Sequence, residues 1–285
     1  MPRQLLSVGD NVVDQYPQRG FFYPGGNAVN VAVHASRLGL GSAYIGAVGT
    51  DPAGEVVLSS LREEGVDTGR TRVVDGPNAY AVVEVVDGNR VFAKGDLGIS
   101  VFELDEGDLA LAQTVDIVHT GECSNVEAQV PHLARAARTL SFDFSERPWD
   151  YIEAIAPQVD VATKSAPGAD RATGLEQARR LRALGPRTVA VTLGAEGAVV
   201  IQDEEAHWAP AGVGQIVDTL GAGDAFIARL LLGMTQGHPI ADLVLQATHY
   251  ATQTCASFGA FGHATSLQAL SPATTQHYPD RLDVS

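Results

Sequence analysis

The string Asp218-Thr219-Leu220-Gly221-Ala222-Gly223-Asp224-Ala225-Phe226 concentrates the residue types that handle phosphate. Glycines let backbone N–H groups turn toward one point. The apolar run that follows, to about Gly237, reads as a helix whose start adds unpaired donors and a positive dipole end. Gly221, Ala222 and Gly223 would then form an anion hole suited to a phosphoryl group. Asp224 is placed either to take the proton of a hydroxyl attacking phosphorus or simply to cap the helix. A second string, Gly25-Gly26-Asn27-Ala28-Val29-Asn30, also opens a helix. Asn27 and Asn30 share one side of its first turn, where amides can hydrogen-bond sugar hydroxyls and Gly25 and Gly26 admit close approach. The plainer reading is a glycine loop with an Asn cap. Asp10, Asn11 and Asp14 follow the first strand, where carboxylates bind hydroxyls bidentately or make Asx turns. Two such motifs in one chain favour phosphoryl transfer to an alcohol over two caps.

The elements around these motifs alternate. Leu5–Gly9 reads as a first strand, Ala28 to Leu38 as a helix, 43–48 as a second strand and 51–65 as a helix. Residues 116–119, 141–144, 159–161 and 188–193 read as buried strands, with helical patterns at 126–138, 149–156 and 170–184. That rhythm predicts an α/β fold with a mostly parallel sheet between helices, whose ligands bind at the carboxyl ends of the strands. Residues 12–24 and 77–94 break the rhythm. The second of these alternates apolar and polar residues around Asp87-Gly88-Asn89, a hairpin signal. Both read as a small β lid on one domain spanning 1–262, with 263–285 as a loosely packed tail.

Composition excludes other classes. The 285 residues are 45% hydrophobic and carry 19 Lys and Arg against 34 Asp and Glu, a net charge of −15. So acidic a chain repels phosphate backbones and anionic membranes, so no nucleic-acid or membrane partner is expected. Cys123 and Cys255 form no CxxC pair, and the apolar run before Val8 is shorter than a signal peptide's, which reads as cytoplasmic. Walker A, HExxH and GxSxG are absent. Phe226 stands where a dinucleotide fingerprint wants Gly or Ala.

The motifs at 25–30 and 218–224 resemble those of the ribokinase-like, or phosphofructokinase-B, family of sugar kinases, over nearly the whole chain to about residue 262. The resemblance implies a three-layer α/β/α fold, ATP and Mg2+ as cofactors and K+ as a further ion, while a lid with exposed apolar strand faces predicts a homodimer paired through it. It implies Asp224 as catalytic base, the Gly221–Gly223 amides as anion hole, and Asp14, Gly26, Asn27 and Asn30 around the sugar. Thr192, Leu193, Gly194 and Gly197, with Ser165, match the segments beside the nucleotide, or else make a plain strand-to-helix turn. Glu122 matches an acidic position near phosphate or magnesium. Many members carry Asn-x-x-Glu where this chain has Ser165-Ala166-Pro167-Gly168, so Asp170 or Glu122 would have to stand in, or water fill the gap. Lys164 would touch a nucleotide phosphate or be solvated. Within the family, the strings Gly9–Asp14, Asn89–Phe92, Phe142–Ser145 and Ser165–Pro167 resemble members acting on the 6-hydroxyl of fructosamines, sugar–amino-acid adducts such as fructoselysine. Arg90 would then meet the adduct's carboxylate, or be an exposed cross-strand charge. A kinase for another ketose, sugar or nucleoside, or a catalytically silent sugar-binding regulator, is the alternative.

Overall fold

The fold comes from a computed structural model that describes residues 4–86 and 89–270, and the side chains of all of these except 85, 86 and 89–92. The elements in chain order are β1 (Leu5–Val8), β2 (Val12–Tyr16), β3 (Phe21–Gly25), α1 (Asn27–Arg37), β4 (Ser42–Ile45), β5 (Ala47–Gly49), α2 (Pro52–Glu63), β6 (Arg72–Val74), β7 (Tyr80–Val86), β8 (Asn89–Asp96), α3 (Glu106–Ala112) and β9 (Ile117–Gly121). They continue with α4 (Val130–Ala136), β10 (Leu140–Asp143), α5 (Trp149–Ile155), β11 (Val161–Ser165), α6 (Arg171–Ala183), β12 (Thr188–Thr192), β13 (Ala198–Gln202), β14 (Glu205–Ala209), α7 (Ala222–Thr235), α8 (Ile240–Thr254) and β15 (Thr265–Ser266).

The central sheet runs β14-β13-β12-β11-β10-β9-β1-β4. Its six strands from β4 to β12 are parallel, and β13 and β14 close one edge as an antiparallel hairpin. Strands buried on both faces read as unbroken apolar runs, and β1 shows why. Leu5 enters the core layer with Val31, Phe226, Leu231 and Val244 from α1, α7 and α8. Its neighbour Leu6 enters the opposite layer with Leu133, Phe142, Ile152 and Leu181, against α4, α5 and α6. Successive side chains on a strand point to opposite faces, so one apolar dipeptide anchors both helix layers. Each such burial contributes roughly 1.5–3 kcal/mol.

A second sheet, β15-β3-β2-β7-β8, stands apart from the first. It gathers residues 12–25 with 80–96, and β15 adds Thr265–Ser266 along β3. Of the tail expected at 263–285, Thr265 and Ser266 pair with β3 and Leu270 is buried beside Phe22, Val29 and Leu61, while residues 271–285 lie outside the described residues. The Asp87-Gly88 turn lies outside the described residues. The apolar run 43–48 is two strands instead of one. The break falls at Gly46, where a Cβ would lie 2.6 Å from the Gly9 carbonyl oxygen. The chain then leaves the main sheet and β5 pairs with β6. The strand expected at 159–161 begins at Val161 and continues to Ser165, and the helix expected at 126–138 is a 3₁₀ turn followed by α4.

Candidate active site

Parallel strands aim their carboxyl ends at one edge. Asp10 follows β1, Glu122 follows β9, and Asp143, Ser165 and Thr192 end β10, β11 and β12. Helices α1 and α7 start at the same edge. Asp10 is spent on the first of them: its carboxylate accepts from the Asn27 and Ala28 amides at 2.8 and 3.2 Å and from the Ser124 hydroxyl at 2.9 Å. It is a cap for α1 supplied from a different element, not an Asx turn. The glycine pair lets the protein approach itself. Gly26 has φ +107°, and a Cβ there would lie 2.8 Å from Asn11 Cα; a Cβ on Gly25 would run into the Asp14 carboxylate. Asn11 is buried and donates from Nδ2 to the Ala47 carbonyl at 2.5 Å and to Tyr44 Oη at 3.2 Å. Asp14 lines the cleft from β2.

Asn27 is the hub. Its Nδ2 donates to Asp224 Oδ1 at 2.8 Å and to Asp143 Oδ2 at 2.9 Å, and Oδ1 faces His119 Nε2 at 3.1 Å. Asn30 donates from Nδ2 to Asp224 Oδ2 at 2.7 Å. Both oxygens of Asp224 are thereby occupied by α1, and no side-chain bond caps α7. The capping alternative is gone. Burial pushes the Asp224 carboxyl up to about 7, opposed by the Asn30 and Asn27 donors and reinforced by the negative charge of Asp143. Burial likewise lifts Asp143 to about 6, against donors from Ser145 N–H and the Thr163 hydroxyl. A carboxylate with affinity near neutrality suits proton acceptance at ordinary pH.

The glycine string is shaped from behind by Asp218. Its carboxylate accepts from Leu220 N–H at 3.0 Å, Gly259 N–H at 3.1 Å and Tyr16 Oη, on β2, at 2.6 Å. Gly221 has φ +74°, and a Cβ there would lie 2.8 Å from Ala260 Cα; a Cβ on Gly223 would meet nothing within 4 Å. The Ala222 amide turns inward to the Thr219 carbonyl at 3.2 Å. Of the three amides expected to form the anion hole, those of Gly221 and Gly223 are the two not turned back in this way.

Two clefts meet at this string. The first, about 890 Å³, holds Asp14, Asn27, Asn30, Asp143 and Asp224 under Tyr80 and Lys94 of the second sheet. The second, about 660 Å³, is lined by Ala222, Gly223, Ser165, Thr192, Gly194 and Gly197, and Ser145 borders both. Its lining also includes the apolar residues Ile216, Phe226 and Ala251. Asp224 thus faces one cleft while the amide-bearing residue before it faces the other.

Some expected residues stand elsewhere. The Leu193 side chain is fully buried in the core beside α6, away from the second cleft. Glu122 reaches the first cleft, but Arg147 Nε donates to its Oε2 at 2.8 Å and Cys123 Sγ to its Oε1 at 3.1 Å. Among the described residues no cluster of three or more His, Cys, Asp or Glu could hold a metal ion. Glu122 is thus engaged by Arg147 and Cys123, both of which a magnesium ion bound there would have to displace. Asp170 caps α6 by accepting from Thr173 N–H at 2.8 Å. Lys164 is neither solvated nor free for phosphate: it lies 5.9 Å from the Trp149 ring, and its Nζ reaches the Ser165 carbonyl at 3.4 Å. The Arg90 side chain lies outside the described residues. Asp143, His119 and Asp218 escape a motif-based reading as site residues. The available signal for Asp143 is its place, an acidic residue closing a buried parallel strand as Asp10 nearly does after β1. No helix among the described residues is long and apolar enough to cross a membrane.

This α/β architecture, with an aspartate between two clefts at the carboxyl edge, is that of the ribokinase-like phosphotransferases. The chain belongs to the pfkB family of carbohydrate kinases, whose model matches residues 3–265. It is similar to a fructosamine kinase of Bacillus subtilis (strain 168), at 37% identity over 91% of this chain and 93% of that protein. It is also similar to a fructoselysine 6-kinase of Escherichia coli (strain K12), at 37% identity over 91% of this chain and 100% of that protein. Among solved structures, Arabidopsis thaliana ribokinase complexed with ribose and ATP shares the fold, with a TM-score of 0.79 at 20% identity, over 92% of this chain and 95% of that one.

Proposed function

We propose that this chain is an ATP-dependent kinase that phosphorylates the 6-hydroxyl of fructoselysine or a related fructosamine. One observation carries the mechanism: Asp224 opens on the first cleft, while Gly223 beside it opens on the second. The sugar occupies the first cleft, where Asn27, Asn30 and Asp14 orient its hydroxyls. ATP occupies the second, with its base against the apolar residues of that cleft and its phosphates at the Gly221 and Gly223 amides. The 6-oxygen attacks the γ-phosphorus in line, the bond from phosphorus to the bridging oxygen of ADP breaks, and Asp224 takes the hydroxyl proton. The amides hold the charge on the transferring group. Magnesium enters with the ATP phosphates, and no ligand for it is assigned from this chain. The second sheet acts as the lid that excludes water from the reaction. Its outward Phe21, 41% exposed, makes this face the one proposed for pairing in a homodimer.

The fructosamine assignment rests on the two relatives and on charge. Asp14, Asp96, Asp143, Glu122 and Asp224 all line the first cleft, and Lys94 is its one cation among the described residues. Such a lining suits a substrate carrying an ammonium group, and Lys94 on the lid is placed to meet the adduct's carboxylate, a role that Arg90 could share. ADP release would be measured against fructoselysine, a second fructosamine, fructose, ribose and adenosine. Selective turnover of the fructosamines, lost in Asp224→Asn, is the expected result. Turnover only of the other alcohols would discard the fructosamine reading and keep Asp224. No turnover of any of them, with sugar-induced thermal shifts, would favour the sugar-binding regulator.

A further inference from the structure

His119 is fully buried on β9 beneath the first cleft, and both of its ring nitrogens are engaged. Nδ1 lies 3.1 Å from Ser141 Oγ and Nε2 3.1 Å from Asn27 Oδ1. The direction of every bond in this chain follows from its far end. Ionised carboxylates only accept, so the Asn27 NH2 group must face Asp143 and Asp224, and its carbonyl oxygen must face the ring. Nε2 is then the donor and Nδ1 accepts from the Ser141 hydroxyl. We propose that His119 is a positioning residue: its Nε2–H holds the Asn27 amide with the NH2 group between Asp143 and Asp224.

The need for such a hold is physical. An amide's oxygen and nitrogen have nearly the same shape, so packing alone does not choose between its two orientations. Flipped, Asn27 would set its oxygen against two carboxylates, and Asp224 would keep only the Asn30 donor. Burial lowers the His119 pKa to about 3, so the ring stays neutral over the range in which Asp224 titrates. The groups that face Asp224 are Asn27 and Asn30 from α1, Asp143 from β10 and Asp10 from the β1–β2 connection. Glu122, Asp14, Asp96 and Lys94 line the same cleft. Losing one donor in this mostly acidic setting raises the pH at which Asp224 ionises.

This inference rests on Asp224 being the base, which Asp224→Asn tests by itself: full turnover in that variant would remove the premise whatever His119 does. The direct test compares His119→Phe, His119→Gln and Asn27→Ala with the double variant His119→Phe/Asn27→Ala, reading kcat, KM for sugar and the acid limb of the kcat–pH profile. His119→Phe should lower kcat about tenfold, the scale of one lost hydrogen bond to a charged network. It should also move the acid limb to higher pH. His119→Gln, which can place an N–H near the Nε2 position, should recover most of both effects. In the Asn27→Ala background His119→Phe should add little, because its partner is gone. Additive losses in the double variant, or an acid limb unmoved in His119→Phe, would overturn the proposal. Should His119→Phe fail to fold, Ser141→Ala serves: it frees the tautomer and should shift the acid limb the same way by a smaller amount, and an unmoved limb there would also overturn it.

Discussion

The two clefts that meet at the glycine string are built from different materials. The first is lined by side chains with charge and direction, and its carboxylates and amides are cross-linked into one network through Asn27. The second is lined mostly by glycine, alanine, serine and threonine with a few apolar side chains, Glu146 being its one charged residue among the described residues, so its recognition falls largely to backbone groups and shape. On the assignment proposed above, the first cleft must discriminate the acceptor among many alcohols, and oriented side chains achieve that by leaving wrong substrates with unpaired polar groups. The donor's triphosphate needs N–H groups at a helix start, which any small residue supplies. Substitutions in the first cleft should therefore change which alcohol reacts, and substitutions in the second should change how ATP binds.

Asp224→Asn should show the largest effect, a kcat lower by about 10²–10⁴-fold with the fold kept, measured by ADP release. Near wild-type turnover would dissolve the distinction, since neither cleft would then hold the base. Asn27→Ala should raise KM for sugar roughly tenfold and KM for ATP much less; equal changes in both would merge the two clefts functionally. The two glycines of the string should separate cleanly. Gly221→Ala, at φ +74° and against Ala260, should cost roughly 1–3 kcal/mol in denaturant unfolding. Gly223→Ala, with open space for its methyl, should leave stability alone and raise KM for ATP only. Lys94→Ala should raise KM several-fold for a carboxylate-bearing fructosamine and leave KM for fructose unchanged, in steady-state assays at low salt.

The smallest effect is on stability. Asp143 and Asp224 are raised to about 6 and about 7 in the folded chain, above the unfolded value of about 4. Their protonated forms favour the fold, a contribution complete below about pH 4 and lost as pH rises through 6 and 7. Asp224→Asn should thus melt at the wild-type temperature near pH 4 and a few degrees higher at pH 8. A variant that melts lower at pH 8 would mean that the ionised carboxylate stabilises its surroundings.

Much of this was legible without a structure. Apolar runs of strand length separated by helical periods require a parallel sheet between helix layers, and glycine strings at helix starts require an anion-sized opening, because both are properties of local spacing. The antiparallel β13–β14 edge and α8 carry no comparably distinct pattern, and the break at Gly46 depends on the Gly9 carbonyl, far away in sequence. The same divide runs through the site. The sequence alone determined that Asn27, Asn30 and Asp224 begin helices, because capping and glycine geometry act within a few residues. Only the tertiary structure decided that α1 and α7 meet there, so that Asn27 binds Asp224 across 197 positions and Asp143 across 116. It also decided that Asp10 caps a helix, that Leu193 joins the core, and that buried His119 stands beneath them. Hydrogen bonds and burial are set by distance in space, and a residue's type does not say which distant group will be its partner.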